Sequence, residues 1–401
     1  MSRSFFYVKF LFWLIVFGAA GCDMLHQVDP LTKKKPEYWL NLKPITFENL
    51  PGWNGDNHAE ALSVFLQSCR AIKKKEPNKF FGTHAFMGKI GEWSDICEAA
   101  TRVRPGNNVD AKYFFEKRFS AFLVLNDQTD TGLFTGYYEP VLKGSWSPDE
   151  RYKIPLFSLP KDLVTVDLGG FKKKWAGQKI IGKLEEEKLK PYYDRQAIEN
   201  GALSGRGLEI LWVDSQIDAF FLHIQGSGRI LLSDGSHIRV GYSGSNGHAY
   251  TSIGRILVGM GEMKLRDVNL PNLKVWLRSN PISGQAVMQR NRSFIFFRVI
   301  QEDSPIGAQN IPLTPMRSMA VDQSFIPLGV PIWLDTQDPL DSEKKLRRLF
   351  VAQDTGSAIK GPIRGDIFWG KGDRAEKAAG IMRTKGRYFL LLPINGRAEV
   401  L

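Results

Sequence analysis

Residues 351–373 read VAQDTGSAIKGPIRGDIFWGKGD, and this stretch decides the fold. Short apolar runs alternate there with glycines, and they carry three aspartates, Asp354, Asp366 and Asp373. Glycine-bounded strand ends are places where a rigid scaffold presents side chains into a cleft. The twelve-residue spacing between Asp354 and Asp366 suits two adjacent β-elements whose ends meet. The stretch therefore predicts β-structure with carboxylates gathered at one site.

Two neighbouring carboxylates raise each other's pKa, so one of them can stay protonated near neutral pH and act as a general acid. The structural alternative is that Asp354 and Asp373 only cap turns. The triplet Asp354-Thr355-Gly356 also suggests an aspartic protease, but the second triplet that such a protease needs is absent. No elbow-like Gly-x-Ser-x-Gly motif and no metal-ligand spacing stands out, so we expect neither a serine nucleophile, nor a metal, nor another cofactor.

The rest of the chain predicts a mainly β protein with helices near its N-terminus. Asn57 and Glu60 form a helix start, an apolar stripe at helical spacing follows, and helical patterns continue to about residue 120. A basic segment over residues 160–205 is expected to hold loops and short helices. Short apolar runs bounded by turn residues predict strands at 208–213, 220–225, 294–300 and 331–334.

Two further clusters suggest a binding cleft. Residues 134–140, FTGYYEP, combine a glycine, paired tyrosines and a carboxylate, and aromatic side chains suit the apolar faces of sugar rings. The alternative is a strand with core tyrosines. Residues 221–229, FLHIQGSGR, are too short for a phosphate loop and are more typical of a hairpin turn, although Gln225 and Arg229 have side chains that can hydrogen-bond a substrate.

The N-terminus predicts export. The apolar run at 10–20 is shorter than the roughly 20 residues that a spanning helix needs, and it ends in Ala19-Ala20-Gly21-Cys22. This pattern resembles the lipobox of bacterial lipoproteins, with Ala19 where leucine is usual, and it makes Cys22 the lipidated first residue. The alternative is a short anchor that stays attached. Asp23 resembles the signal that keeps enteric-type lipoproteins in the inner membrane.

Charge and cysteines fit an exported protein. The formal net charge of +12 suits an acidic partner, and export favours the carboxylate-rich peptides of murein over nucleic acid. Cys69 and Cys97 are the only cysteines besides Cys22, in a compartment where disulfides persist. A bridge and two buried thiols remain equally open, and neither implies catalysis.

Taken together, these segments resemble the membrane-bound lytic murein transglycosylase A (MltA) family. The last matching stretch is similar to the three-aspartate (3D) domain, whose aspartates would be Asp322, Asp354 and Asp366. Of these, Asp366 falls on the family's catalytic position. The matching stretches are 134–140, 222–229, 246–255, 291–298, 320–329 and 352–372.

The resemblance implies a double-psi β-barrel that carries the aspartates, with a second β-domain inserted into it and a substrate groove between the two. On this mapping the signal peptide is 1–21 and the tether 22–44. The barrel domain takes 45–140 plus 286–401, and the inserted β-domain takes 141–285.

The resemblance also implies the chemistry. A lytic transglycosylase needs a single acid, here Asp366, which protonates the glycosidic oxygen between N-acetylmuramic acid and N-acetylglucosamine and yields a 1,6-anhydromuramic end. The alternatives are a murein-binding lipoprotein without activity and a two-carboxylate hydrolase with Glu139 as the second carboxylate. The residues expected to bind substrate are Gly136, Tyr137, Tyr138, Glu139, Gln225, Ser227, Arg229 and Trp369.

The expected partners are the glycan strands of peptidoglycan, the membrane through the N-terminal lipid, and other cell-wall enzymes. The family resemblance favours the outer membrane as the site of anchoring, on its periplasmic face. Asp23 favours the inner membrane.

Overall fold

The computed structural model describes residues 38–301, 304–356 and 358–394. The predicted signal peptide, Cys22 and the tether up to residue 37 lie outside this part. Strand β1 begins at Asn41, within the segment predicted as tether, and it pairs along its length with strand β2 (Phe119–Leu125). Within the described residues, no helix is both long and apolar enough to span a bilayer.

Helices dominate the first part of the described chain, as predicted, and others follow among the strands. The side chain of Asn57 accepts a hydrogen bond from the Glu60 amide and donates one to the Glu60 carboxylate, so the first helix starts at the predicted residues. The helices are α1 (His58–Ile72), α2 (Ile90–Ala100), α3 (Asn108–Arg118), α4 (Arg195–Ala197), α5 (Gln216–Gln225), α6 (Ile253–Gly259), α7 (Leu270–Ser279), α8 (Pro281–Gln289) and α9 (Asp373–Ile381).

Strands fill most of the remaining chain, so the mainly β prediction is confirmed. They are β1 (Asn41–Ile45), β2 (Phe119–Leu125), β3 (Gly132–Glu139), β4 (Val141–Ser145), β5 (Ile154–Phe157), β6 (Val164–Asp167), β7 (Lys179–Glu185), β8 (Lys188–Pro191), β9 (Glu209–Val213), β10 (Ser227–Leu231), β11 (His237–Ser245), β12 (Ile295–Ile300), β13 (Ser318–Val321), β14 (Pro331–Gln337), β15 (Lys345–Asp354), β16 (Arg364–Lys371) and β17 (Arg383–Pro393).

Six strands close into a barrel in the order β3-β17-β14-β15-β13-β16, which returns to β3. Closure depends on β17, because its first half pairs with β3 while its second half pairs with β2 on the same edge. Two neighbouring pairs, β3 with β16 and β13 with β15, run parallel. Parallel neighbours need long crossovers. The crossover from β3 to its parallel neighbour β16 is long chiefly because of the stretch between β3 and β13.

That crossover builds a second β-region. Its six-stranded sheet has the order β12-β11-β10-β4-β9-β5, and a separate three-stranded sheet has the order β6-β7-β8. The predicted domain boundaries at residues 140 and 286 stay predictions.

Three local predictions were wrong or incomplete. Residues 220–225 form the end of α5 rather than a strand, because Ser215 caps the Asp218 amide and the consecutive residues 219–223 are buried on more than one side of the helix. Gly226, predicted in a hairpin turn, instead ends this helix with φ 78° and leads into β10. Residues 160–205 contain the β6-β7-β8 sheet in addition to the predicted short helices. The sequence did not predict these strands, because their many charged residues obscure the alternation of a strand.

The cysteines form a disulfide between α1 and α2, with Cα atoms 5.5 Å apart, which decides between the two open alternatives. Both residues also belong to the main hydrophobic core, which packs α1, α2 and α3 against the barrel. The bridge therefore joins two helices that the core already brings together.

A buried ion pair also fastens the helical part to the barrel. Arg317, which precedes β13, donates to both Asp56 carboxylate oxygens at 2.7 and 2.9 Å, and the Asp56 carboxylate also accepts the Leu349 amide of β15. Both charged side chains are almost fully buried. Removing one partner from such a pair leaves an uncompensated buried charge, which typically costs about 3–5 kcal/mol.

We therefore expect Asp56→Ala to lower the free energy of unfolding by about 3–5 kcal/mol. The matched control is Asp110→Ala, because Asp110 pairs with Arg104 in the same bidentate way but on the surface, where such pairs contribute about 0–1 kcal/mol. Denaturant melts of both variants test this. Equal losses of unfolding free energy in the two variants would show that burial gives the Arg317–Asp56 pair no special importance.

Candidate active site

Asp366 is the third residue of β16, and this strand lies between β3 and β13. Its register partners are Thr135 on β3 and Ala320 on β13. A side chain at Gly365 would meet Met319 Sδ at 2.7 Å, so this glycine lets β16 pack closely against β13 beside the carboxylate. Barrel closure thus fixes the backbone on both sides of Asp366.

One oxygen of the Asp366 carboxyl is held and the other is open. Thr135 Oγ1 donates to Asp366 Oδ1 at 2.5 Å, and Arg364 Nη2 donates to the same hydroxyl oxygen at 2.9 Å. Among the described residues no hydrogen bond reaches Oδ2 of Asp366. The side chain is partly exposed, so Oδ2 can meet a ligand.

Asp354 lies at the end of β15 and has a different set of neighbours. Its Oδ2 accepts the Tyr137 hydroxyl at 2.8 Å, and its Oδ1 accepts the amides of Ala308 and Thr355, each at 2.9 Å. The ring of Tyr137 packs against Phe368, with centroids 5.3 Å apart. Both carboxylate oxygens of Asp354 therefore accept hydrogen bonds, and one of these bonds holds the turn that follows β15.

Burial raises the pKa of Asp366 above its ordinary value, and the charge of Asp354 acts in the same direction. The Thr135 hydrogen bond and the Arg364 charge oppose that rise without cancelling it. The Arg364 guanidinium therefore lies on the side of β16 that faces Thr135 and Asp366. Burial also raises the pKa of Asp354, against the lowering by its three hydrogen-bond donors.

Asp322, the third aspartate of the motif, has a structural position. Its carboxylate accepts the Gly361 amide at 2.8 Å with one oxygen and the Ser324 hydroxyl at 2.7 Å with the other, and the side chain is buried. These bonds join the loop before β16 to the turn after β13. Asp322 thus supports the strands that carry Asp366, and no direct bond to that carboxyl is present among the described residues.

Glu139 is enclosed by two arginines. Its carboxylate accepts Arg229 Nε at 3.0 Å and Arg239 Nε at 2.8 Å, and the residue is only 2% exposed. Glu139 also lies four residues beyond Thr135 on β3, about 13 Å along the strand. The two carboxyls of a glycoside hydrolase flank one bond, at separations up to about 9.5 Å. The geometry disfavours Glu139 as the second carboxylate of a hydrolase.

The remaining predicted binding residues divide into packed and accessible groups. Gln225 Oε1 accepts the Tyr138 amide, and Tyr138 is buried in the core formed with α5 to α9. The indole of Trp369 packs on Gly136, where a Cβ would lie 2.5 Å from Nε1, so only glycine fits there. Ser227 begins β10 and is partly exposed. Substrate binding by any of these residues stays a prediction.

The sequence did not single out Thr135, Arg364 or Arg239 as parts of these sites. Thr135 lies inside a quoted motif, but only the parallel register of β3 on β16 places it beside Asp366. In the described residues, no group of His, Cys, Asp and Glu side chains has the arrangement of a metal site.

Two family models together match more than half of the chain. The MltA specific insert domain matches residues 133–298, and the 3D domain matches residues 317–392. The first match therefore begins within β3, and the second covers β13 to β17 except the last residue of β17.

Relatives and solved structures agree with these matches. The membrane-bound lytic murein transglycosylases A of Vibrio cholerae and of Escherichia coli strain K12 are each 32% identical to this chain. The alignments cover 66% of this chain and 66% of the first relative, and 67% of this chain and 67% of the second. The crystal structure of a membrane-bound lytic murein transglycosylase from Agrobacterium tumefaciens is 33% identical, covers 88% of this chain and 98% of its own, and superposes with a TM-score of 0.79.

With both domain matches in order along the chain, and with a shared fold, this protein belongs to the membrane-bound lytic murein transglycosylase A family, a family of enzymes that act on peptidoglycan.

Proposed function

We propose that this protein cleaves the β-1,4 bond between N-acetylmuramic acid and N-acetylglucosamine in peptidoglycan, with Asp366 as its only acid and base. The observation that carries the proposal is the state of the Asp366 carboxyl, which has a raised pKa, one oxygen held by Thr135 and one oxygen open. Family membership supplies the substrate class.

The first step is proton donation. A raised pKa keeps a fraction of Asp366 protonated closer to neutral pH, which a general acid requires. Because Thr135 occupies Oδ1, the proton is delivered from Oδ2 to the glycosidic oxygen. The bond from that oxygen to C1 of the muramic acid then breaks, and positive charge develops at C1.

The second step returns the proton. The C6 hydroxyl oxygen of the same muramic acid bonds to C1, and its proton passes to the Asp366 carboxylate, so the acid is restored and the product has a 1,6-anhydro ring. Between the two steps Asp366 is charged. The Thr135 hydroxyl, held in turn by Arg364, stabilises that carboxylate through its hydrogen bond.

A single acid also agrees with the surroundings of the site. Asp354 is bound by three donors, and Glu139 by two arginines, so neither is placed to activate a water. We assign Asp354 to tuning the pKa of Asp366 through its charge, and Tyr137 to positioning Asp354.

We further propose that the protein is exported and tethered by lipid on Cys22, on the periplasmic face of the envelope. The family resemblance favours the outer membrane, and Asp23 favours the inner one. Other cell-wall enzymes are the protein partners that the resemblance suggests.

Asp366→Asn is expected to abolish turnover while leaving the fold and glycan binding intact, because the amide keeps the shape but cannot cycle a proton. The loss should reach or exceed the upper end of about 10²–10⁴-fold. Release of anhydromuropeptides from purified sacculi, followed by mass spectrometry, measures it. Asp322→Asn is the control. It should lower thermal stability, because Asp322 supports the strands that carry Asp366, but it should lower turnover far less than Asp366→Asn does.

The same products distinguish the alternatives. Reducing ends in place of anhydro ends would establish a hydrolase, and intact sacculi with bound wild-type protein would establish a binding protein. A folded Asp366→Asn protein with near wild-type release would overturn the assignment of the acid.

Asp366→Asn should also stabilise the fold increasingly as pH rises. The folded pKa of Asp366 lies above its unfolded value of about 3.8, so between these two values the folded state binds more protons than the unfolded state. The stability of the wild type therefore falls as pH rises through this window, and the asparagine variant escapes that fall. Thermal melts from pH 3.5 upward test the difference.

Asp341→Asn should change the pH dependence of stability in the opposite direction, because the exposed Lys344 lowers the pKa of Asp341. That variant should lose a little stability relative to wild type as pH rises. A difference for Asp366→Asn that stayed constant with pH would contradict the raised pKa.

Cys22→Ala is expected to prevent lipidation and to leave the protein unprocessed or released from the membrane. Fractionation of cell envelopes, with and without extraction by alkali, measures the change. A variant of mature size that still fractionated as an integral membrane protein would show that lipid on Cys22 is not the anchor.

A further inference from the structure

The β6-β7-β8 sheet presents an apolar face away from the body of the protein. Its cross-strand register pairs Val166 with Ile180 and Leu184 with Leu189, so these four side chains share one face. Ile180 is 45% exposed and Leu184 is 65% exposed. Exposed apolar clusters of this kind commonly mark interaction surfaces.

The opposite face of the sheet packs inward. The Lys183 ammonium lies 4.0 Å from the centroid of the Tyr193 ring, and Ile181 approaches Gly247 so closely that a Cβ there would lie 2.6 Å from the Ile181 Cβ. Successive strand residues point to opposite sides. Because Ile181 and Lys183 face the body, Ile180 and Leu184 must face solvent.

The loop between β6 and β7 adds a basic and aromatic tip. Residues 168–178 read LGGFKKKWAGQ, with three lysines and no acid, and Phe171 at the tip is 72% exposed. The sequence alone allows a simple solvated lysine run. An exposed phenylalanine directly before the lysines is a second and independent feature, because nothing in a solvated run needs it.

Internal bonds give this loop a defined shape. The Leu168 amide donates to the Gln178 carbonyl at 2.9 Å and closes the base, and the Trp175 amide donates to the Lys172 carbonyl at 2.8 Å. Lys172 and Lys174 both lie over the Trp175 ring, at 4.8 and 5.8 Å from its centroid. A pre-organised loop loses little conformational freedom when it binds.

The two ends of the sheet differ in net charge. The β6–β7 loop carries Lys172, Lys173 and Lys174 with no acid, whereas at the β7–β8 end Glu185, Glu186 and Glu187 are balanced by Lys183, Lys188 and Lys190. Seven strand residues separate the two ends by about 20 Å, beyond the roughly 8–10 Å over which salt screens exposed charges. A negatively charged surface therefore attracts the loop end first.

We infer that the loop 168–178, with the adjoining Ile180, docks on an anionic phospholipid surface independently of any lipid on Cys22. Phe171 and Ile180 enter the interface between headgroups and acyl chains, while Lys172, Lys173 and Lys174 contact the phosphates. Apolar side chains together with lysines are the combination that such an interface binds. An uncharged glycan fits less well, because it offers no anionic group to the three lysines and no acyl chains to Ile180.

The test uses the full chain carrying Cys22→Ala, which has no acyl anchor and whose leader is the same in every variant. Flotation with vesicles of phosphatidylglycerol and phosphatidylethanolamine should exceed flotation with phosphatidylcholine vesicles. Replacing Lys172, Lys173 and Lys174 with Gln should weaken binding to the anionic vesicles by about tenfold or more, since each lysine near such a surface contributes substantially. Phe171→Ser should weaken it several-fold, also at high salt.

The matched control replaces Lys73, Lys74 and Lys75, an equal run of exposed lysines after α1, and it should leave vesicle binding unchanged. Circular dichroism and thermal melts verify the fold of each variant. Equal losses of vesicle binding in both triple variants would show that only the net charge of the protein matters, and this result would overturn the proposal. A loss of binding to purified sacculi, with vesicle binding unchanged, would assign the loop to the wall polymer and overturn it as well.

Discussion

Closure of the barrel by β3 is the constraint on which the site depends. β3 pairs in parallel with β16 and antiparallel with β17, so Thr135 is at once the register partner of Asp366 and of Arg383. Without that closure Asp366 would lie on an open edge strand, and its carboxyl would lose both the Thr135 hydrogen bond and the enclosure that raises its pKa. The environment of Asp366 is thus a product of the sheet topology.

The same strand connects the barrel to the second β-region. β3 ends at Glu139, whose carboxylate binds Arg229 of β10 and Arg239 of β11, so the first residues after the site are fixed to the second sheet. On the other side Lys274 of α7 joins Asp218 of α5 to Glu376 of α9. Buried ionic groups add little net stability, because desolvation offsets their attraction, but breaking them is costly. Their contribution here is the relative position of the two β-regions.

Opposed influences on Asp366 fit the two tasks that we propose for it, which are to give a proton and to take one back. Burial and the Asp354 charge favour the protonated form, while Thr135 and Arg364 favour the carboxylate. A group that must both give and take a proton works best when neither form is strongly preferred. Glu139 has a different environment, because its carboxylate is bound by Arg229 and Arg239.

The sequence by itself determined the local elements whose signals are short-range. The Asn57 and Glu60 pattern predicted where α1 begins, the glycine-flanked motif around Asp366 predicted β-structure there, and the family resemblance predicted a mainly β fold. It failed at residues 220–225, because a short, mostly apolar run has the same pattern in a buried helix as in a buried strand. Tertiary structure alone decided which side chains meet. Thr135 and Asp366 are 231 residues apart, and Glu139 and Arg239 are 100 apart. Their contacts follow from strand register and barrel closure, which are long-range pairings that leave no mark on the residues next to them in the chain.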